Sequence, residues 1–425
     1  MTNLRLRPGK LTGSVLIPSS KSMGHRELIC AALAQEESVI GNVSLSKDIV
    51  ATGNALAALG AQVTYQLQSD KRARYTIQGG YPKAQGKLLN CEESGSTLRF
   101  LIPLGTLCNK EVTFTGKGKL GSRPLTPYFN IFAKQQISYK TPQKGNLPLT
   151  LKGLLQPGAY TLPGDVSSQF ISGLLFALPL LPAASVLQIT GKIESQSYIA
   201  MTLAALRKYG ITIEHQGYSA YKIPGQQRYV ARQSKVEGDF SQIAFWLVAA
   251  TLGSTITSEG MNKASLQGDK VIIELINAMG GKVVWEDSKV IAAPAATHGM
   301  VINAANCPDI IPVLTVLAAV SRGRTEIINA GRLRIKECDR LKAIATELNK
   351  LGAKIQELPE GLVIDGVDKL TGGTVDCWND HRIAMSLAVA SIKCCEPVLL
   401  QGTECVAKSY PNFWEDFALL GGRYE

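Results

Sequence analysis

The feature that most constrains this chain is a pattern that returns along it: an amphipathic helical stretch, a glycine, then a short β-branched strand. It appears at residues 55–63 around Gly60, 203–213 around Gly210, 272–283 around Gly280, 344–355 around Gly352 and 413–424 around Gly421. A weaker copy at 128–137 lacks the glycine. Leu341, Ile344, Leu348 and Leu351 mark one helical face, and Gly352 stands where a helix end favours positive φ. One such unit would say little. Six, at a spacing of roughly 70 to 75 residues, are too far apart for a solenoid and predict duplication of one small fold. Three copies in each of two similar globular domains keep domain sizes ordinary. The predicted class is α+β.

With 425 residues, the chain has room for about two or three domains. A hydrophobic content of 45% against 19% charged residues is that of a well-cored globule. No apolar run approaches the ~18 residues of a membrane span; the longest, 171–187, is broken by Pro179 and Pro182. The first residues show no apolar core of a secretory signal. Nine scattered cysteines without a C-x-x-C predict free thiols in a reducing cytoplasm. His25, His215, His298 and His381 show no ligand spacing, so no metal site is expected. The net charge of +11 calls for an anionic partner. Nucleic-acid binding would require dense basic runs and aromatic platforms. Here the basic residues are dispersed, aromatics are 6%, and Lys117, Lys119, Lys140 and Lys144 read as a solvated face. Small phosphorylated or carboxylated molecules fit better.

Candidate sites share one design. Val15-Leu16-Ile17 reads as a strand ending at Pro18, and a helical pattern begins at about Ser22. Between them lie Ser19, Ser20 and Lys21. A strand that feeds a helix through small polar residues exposes N–H groups that attract anions, and Lys21 and Arg26 add charge. Ser19 or Ser20 equally suits a plain N-cap. Gly95, Ser96 and Thr97 open the next apolar helix, with Gly95 allowing close approach of a ligand. Arg123 sits in a tight turn, with Pro124 suited to the first turn of the following helix. Ser167, Ser168 and Gln169, then Ser195, repeat the hydroxyl-before-helix arrangement. Asp309 precedes the apolar helix 313–320, as an N-cap or as a proton acceptor. Lys336, Glu337 and Arg340 lie in the densest charged segment, whose charges a solvated helix start would also explain. Arg382 and Lys408 precede the last two helices.

In this order, Ser20-Lys21-Ser22 with Arg26, Gly95 to Arg99, Ser122-Arg123-Pro124, residues 166–170, Lys336-Glu337-Cys338-Asp339-Arg340, Asn379-Asp380-His381-Arg382 and Ala407-Lys408 resemble the EPSP synthases. These are the 3-phosphoshikimate 1-carboxyvinyltransferases of the enolpyruvyl transferase family. The resemblance covers nearly the whole chain. It implies two domains of three repeats each, an inside-out α/β barrel-like arrangement, with 1–18 and 234–425 in one domain and 19–233 in the other, and ligands bound between them. It implies transfer of the enolpyruvyl group of phosphoenolpyruvate to the 5-hydroxyl of shikimate 3-phosphate, with release of phosphate. No cofactor, metal, membrane or nucleic acid takes part, and a cytoplasmic monomer is expected. By motif, Lys21, Ser22, Arg26, Ser167, Ser168, Gln169, Ser195, Asp309 and Lys336 correspond to shikimate 3-phosphate contacts. Lys21, Gly95, Arg123, Gln169, Arg340, Arg382 and Lys408 correspond to phosphoenolpyruvate contacts. Asp309 corresponds to the base at the hydroxyl, and Glu337 with Lys21 to the groups handling the proton at C3.

Two departures stand out. The family's Pro-Gly-Ser-Lys-Ser is here Pro18-Ser19-Ser20-Lys21-Ser22, and its Gly-Asn-Ala-Gly-Thr is here Glu92-Glu93-Ser94-Gly95-Ser96. Glu93 puts an acid beside the phosphoenolpyruvate residues, with an expected effect on anion binding or on the response to glyphosate. The rival within the family is enolpyruvyl transfer to UDP-N-acetylglucosamine, which typically places a reactive Cys in the loop at 116–123. This chain has none there. A basic nucleic-acid-binding protein is the rival of another class.

Overall fold

The computed structural model describes residues 2–69, 71–83, 88–108 and 110–425. Each repeat is a strand, a buried helix, a strand, a second helix and two further strands. One copy shows the pattern in full: Leu88–Asn90, Gly95–Gly105, Val112–Thr115, Thr126–Gln135, Ser138–Lys140 and Leu149–Lys152. Its first two strands pair in parallel, and the other two add antiparallel. Among the described residues, all six four-stranded sheets have this order.

The two helices of a repeat differ for a reason visible in their residues. Phe240–Leu252 is apolar nearly all round, and every one of its residues is buried, as expected of a helix inside a core. Lys21–Leu33, Gly95–Gly105, Ser168–Ala177, Ile311–Ala319 and His381–Ala390 occupy the same place in their repeats. The second helices are the ones seen in the sequence. They end on Gly60, Gly210, Gly280, Gly352 and Gly421, with φ between +81° and +104°. In the copy without glycine, Gln136 itself takes φ +55°, a conformation that costs an L-residue about 1–2 kcal/mol. The strand that follows each of these helices is the exposed edge of its sheet.

The chain divides into two compact units, Met1–Pro18 with Glu237–Glu425, and Ser19–Val236. Each has its own core, built around Trp246, Leu314 and Leu387 in the first and Phe100, Phe170 and Tyr128 in the second. Two strands pair away from the helix they lead into. Gly13–Leu16 runs on to helix Lys21–Leu33, yet pairs in parallel with Ile256–Glu259. Gln233–Lys235 runs on to helix Phe240–Leu252, yet pairs in parallel with Glu37–Ser44. The pairing continues to Val236, whose N–H bonds Gly41 O. Asn3–Arg7 lies between Val398–Gln401 and Arg423–Tyr424, joining the two chain ends in one sheet. Among the described residues, no helix is long and apolar enough to cross a membrane.

Candidate active site

In the unit Ser19–Val236 the site residues gather at helix starts. Ser20 caps helix Lys21–Leu33, accepting from Met23 N–H. Ser19 is stitched to Ser44 by three hydrogen bonds of 2.9, 3.1 and 2.7 Å and has no positive φ. The serine therefore fits where the family has glycine. Lys21 Nζ lies 2.9 Å from Asp48 Oδ2, and Asp48 is itself in the first turn of helix Lys47–Ala58. Arg26 is buried over the Phe100 ring. Its guanidinium donates to Thr202 Oγ1 at 2.8 Å, Ser22 O at 2.6 Å and Tyr198 O at 2.8 Å. Burial pushes its pKa down to about 10, so it stays charged at neutral pH.

Gly95 opens helix Gly95–Gly105 behind its cap, Ser94. A Cβ at Gly95 would sit 2.7 Å from Arg123 Nη1 and 3.7 Å from Gln169 Oε1, so these three residues converge. Gln169 is fixed at both ends of its amide. Its Nε2 donates to Ser96 Oγ at 2.9 Å and its Oε1 accepts from Arg99 Nη1 at 2.8 Å. Arg99 also reaches Pro124 O and lies over the Phe170 ring. Ser167 caps helix Ser168–Ala177, with Ser168 its buried first residue. Ser195 stands at the cap position of helix Gln196–Lys208 with φ +54°, and its side chain makes no cap bond. Pro124 is not in the first turn of the next helix, contrary to expectation. That helix is Thr126–Gln135 with Pro127 in the first turn, and Pro124 offers its carbonyl to Arg99 instead. The Glu93 carboxylate lies against Gly118, where an added Cβ would come 2.7 Å from Oε1.

The other unit holds a denser cluster. Asp309 is not a helix cap; it lies in the tight turn Pro308–Ile310 that leads into Ile311–Ala319, and its oxygens face cations. Oδ1 accepts from Arg340 Nη1 at 2.9 Å, with Lys336 Nζ 3.5 Å away, and Oδ2 accepts from Arg382 Nη2 at 3.0 Å. Arg340, fully buried, also binds Glu337 Oε2 and Asp380 Oδ2, each at 2.8 Å. Lys408 Nζ stands 3.7 Å from Glu337 Oε1. Burial alone would raise the Asp309 pKa, but Arg382, Lys336 and Arg340 outweigh it and hold the carboxyl well below its usual range. Burial pushes Lys336 down to about 8. Buried Asp269, which accepts from the Ser241 hydroxyl, is pushed up to about 7 by burial and then by the neighbouring Asp309 charge.

Each unit thus gathers its own set of the expected residues. Four participants were not singled out from the sequence: Asp48, Arg99, Asp269 and Asp380. Arg99 and Asp380 lie inside the quoted motifs, and Asp48 follows Ser46, which caps helix Lys47–Ala58. Asp269 gives no signal beyond a Gly-Asp pair. Arg334, from the charged segment, serves structure: it binds Asp339, Glu357 and the carbonyls of Leu358 and Pro359.

Solved structures share this architecture. An EPSP synthase from Acinetobacter baumannii superposes with a TM-score of 0.84 at 24% identity, covering 100% of this chain and 99% of that one. An enolpyruvyl transferase from Streptomyces tendae superposes at 0.80 with 18% identity, covering 100% and 98%. The fold is that of the enolpyruvyl transferases. The family model for EPSP synthase (3-phosphoshikimate 1-carboxyvinyltransferase) matches residues 6–417, and the chain belongs to that family. Curated 3-phosphoshikimate 1-carboxyvinyltransferases are similar over nearly their whole length: that of Clostridium acetobutylicum is 49% identical, covering 99% of this chain and 98% of its own. That of Clostridioides difficile is 45% identical, covering 100% and 99%.

Proposed function

We propose that this chain transfers the enolpyruvyl group of phosphoenolpyruvate to the 5-hydroxyl of shikimate 3-phosphate and releases phosphate, a step of aromatic amino acid biosynthesis. The observation that supports it most is the ion-paired cluster of Asp309, Lys336, Glu337, Arg340, Arg382 and Lys408, on a family match that runs from residue 6 to 417. Both substrates are polyanions. Lys21, Gly95, Arg123, Gln169, Arg340, Arg382 and Lys408 are the proposed phosphoenolpyruvate contacts. Lys21, Ser22, Arg26, Ser167, Ser168, Gln169, Ser195, Asp309 and Lys336 are those for shikimate 3-phosphate. The two sets complete one another in a single reaction, with the protein working as a cytoplasmic monomer.

The hydroxyl oxygen adds to C2 of phosphoenolpyruvate while C3 takes a proton. The tetrahedral adduct then loses phosphate and a C3 proton. Asp309 takes the hydroxyl proton, and Glu337 with Lys21 serves C3. Asp309, bound by three cations, is a weak base. Anions arriving at Lys336, Arg340 and Arg382 draw those cations away and restore its basicity, so proton abstraction follows substrate binding. Shielding from water strengthens the same charges as the substrates fill the site. A phosphate-release assay with both substrates tests this: release requires shikimate 3-phosphate and phosphoenolpyruvate together. Release with UDP-N-acetylglucosamine in place of shikimate 3-phosphate would overturn the choice of acceptor.

A further inference from the structure

Helix Arg340–Lys350 carries Arg340 at its start and Glu347 two turns further on, about 10 Å along the axis. The same loop meets both. At its near end Glu347, fully buried, accepts from the Trp378 indole N–H at 2.7 Å and from the Asp376 N–H at 3.1 Å. At its far end Asp380 grips Arg340 and caps helix His381–Ala390 through the Arg382 N–H at 2.9 Å. Between these grips lie two consecutive residues in the left-handed region, Trp378 at φ +54° and Asn379 at +49°. Asparagine tolerates that region, but a bulky aromatic residue is strained there and persists only where its surroundings hold it. The Asp376 carboxylate, accepting from Trp378 N–H, and the Asp380 N–H, donating to Cys377 O at 2.9 Å, close the turn.

We propose that Glu347 is a positioning residue for anion binding: by holding Trp378 and Asp376 it keeps the strained turn in the shape that sets Asp380 against Arg340 and starts the helix bearing Arg382. Glu347 itself is remote from the cation cluster, with Lys350, partly exposed, as its counter-ion at 2.8 Å. The two grips act as a clasp. With both closed, the loop has one orientation on the helix; with the Glu347 grip open, the left-handed pair relaxes and Asp380 swings off Arg340.

The inference rests on the reading that Arg340 and Arg382 bind phosphoenolpyruvate. Its test uses the full chain with Trp378→Phe, which keeps a ring but removes the N–H, together with Glu347→Ala and Glu347→Gln. Expected for Trp378→Phe and Glu347→Ala is a fivefold or larger rise in KM for phosphoenolpyruvate, with KM for shikimate 3-phosphate within twofold and the melting temperature little changed. Glu347→Gln, which retains an acceptor, lies between Glu347→Ala and the unmodified chain. Trp378→Gly, which also lacks the indole N–H, keeps KM for phosphoenolpyruvate within twofold of the unmodified chain, because glycine adopts positive φ at the strained position unaided. Both KM values unchanged, both rising together, or no rescue by glycine would overturn the clasp. Turnover by the unmodified chain tests the underlying reading separately.

Discussion

In the unit Ser19–Val236 the buried guanidinium of Arg26 is held by a hydroxyl and two carbonyl oxygens. In the other unit, the equally buried guanidinium of Arg340 is held by three carboxylates. The consequences are opposite. Burial pulls the Arg26 pKa down. At Arg340 burial pulls the same way, but Asp380, Glu337 and Asp309 outweigh it and raise the pKa well above its ordinary value. Neutral oxygens orient a cation without cancelling its charge. Carboxylates cancel the charge; on the proposed reading, ligand oxygens displace them and the displaced carboxylates gain basicity in the process. On the proposed roles, the unit Ser19–Val236 recruits anions and the other couples their binding to proton transfer.

The largest expected effect separates folding from function. Arg340→Ala leaves the buried Asp380 and the part-buried Asp309 and Glu337 carboxylates without their shared cation and should destabilise the protein by about 3–5 kcal/mol in urea unfolding, with activity lost. Arg123→Ala should lower kcat/KM by about 1,000-fold while changing stability by less than about 1 kcal/mol. Equal stability losses in the two variants would break the contrast.

Next comes pH. The Asp269 carboxyl titrates near 7 when folded, against an ordinary value near 3.8. Between those values the folded state keeps a proton that the unfolded state has released. Asp269 therefore makes stability fall as pH rises from about 4 to about 7, by an amount on the order of 3 kcal/mol. Asp309 acts in reverse, adding stability above its ordinary value near 3.8 that is lost as pH falls. Asp269→Asn should flatten the fall between pH 5 and 7.5 and leave the acid-side loss in place; an unchanged slope would place the proton elsewhere.

Smaller effects belong to the unit Ser19–Val236. At Gly95→Ala the new Cβ meets the movable tip of Arg123, so stability should hold within about 0.5 kcal/mol. KM for phosphoenolpyruvate should rise about tenfold, equivalent to about 1.4 kcal/mol, with shikimate 3-phosphate unaffected. Smallest is Glu93→Ala, which removes a negative charge from a partly exposed position and should tighten phosphoenolpyruvate binding about twofold. A weaker affinity would show Glu93 supporting the turn rather than opposing the ligand.

The repeat is legible in the sequence because positive φ at a helix end selects glycine, and Gln136 shows that the pattern fades where another residue bears that cost. The helix starts are legible for a similar local reason: Ser20, Ser94 and Ser167 bond the N–H groups two or three residues on. What stays hidden is partnership over distance. Nothing near Asp380 announces Arg340, forty residues earlier, and Asp48 becomes the partner of Lys21 only once two helices pack. Asp309 could be read as a cap or as a base, and its place inside the turn Pro308–Ile310, with three cations around it, decides against the cap.

The placement of Gly13–Leu16 and Asn3–Arg7 sets an order of assembly during synthesis. Their partners, Ile256–Glu259 and then Val398–Gln401 with Arg423–Tyr424, leave the ribosome far later. The stretch from Ser19 to Val236 brings its own missing strand at its tail and can finish early. The amino-terminal strands meanwhile wait with unpaired edges, a window in which a chaperone or a neighbouring nascent chain competes for them.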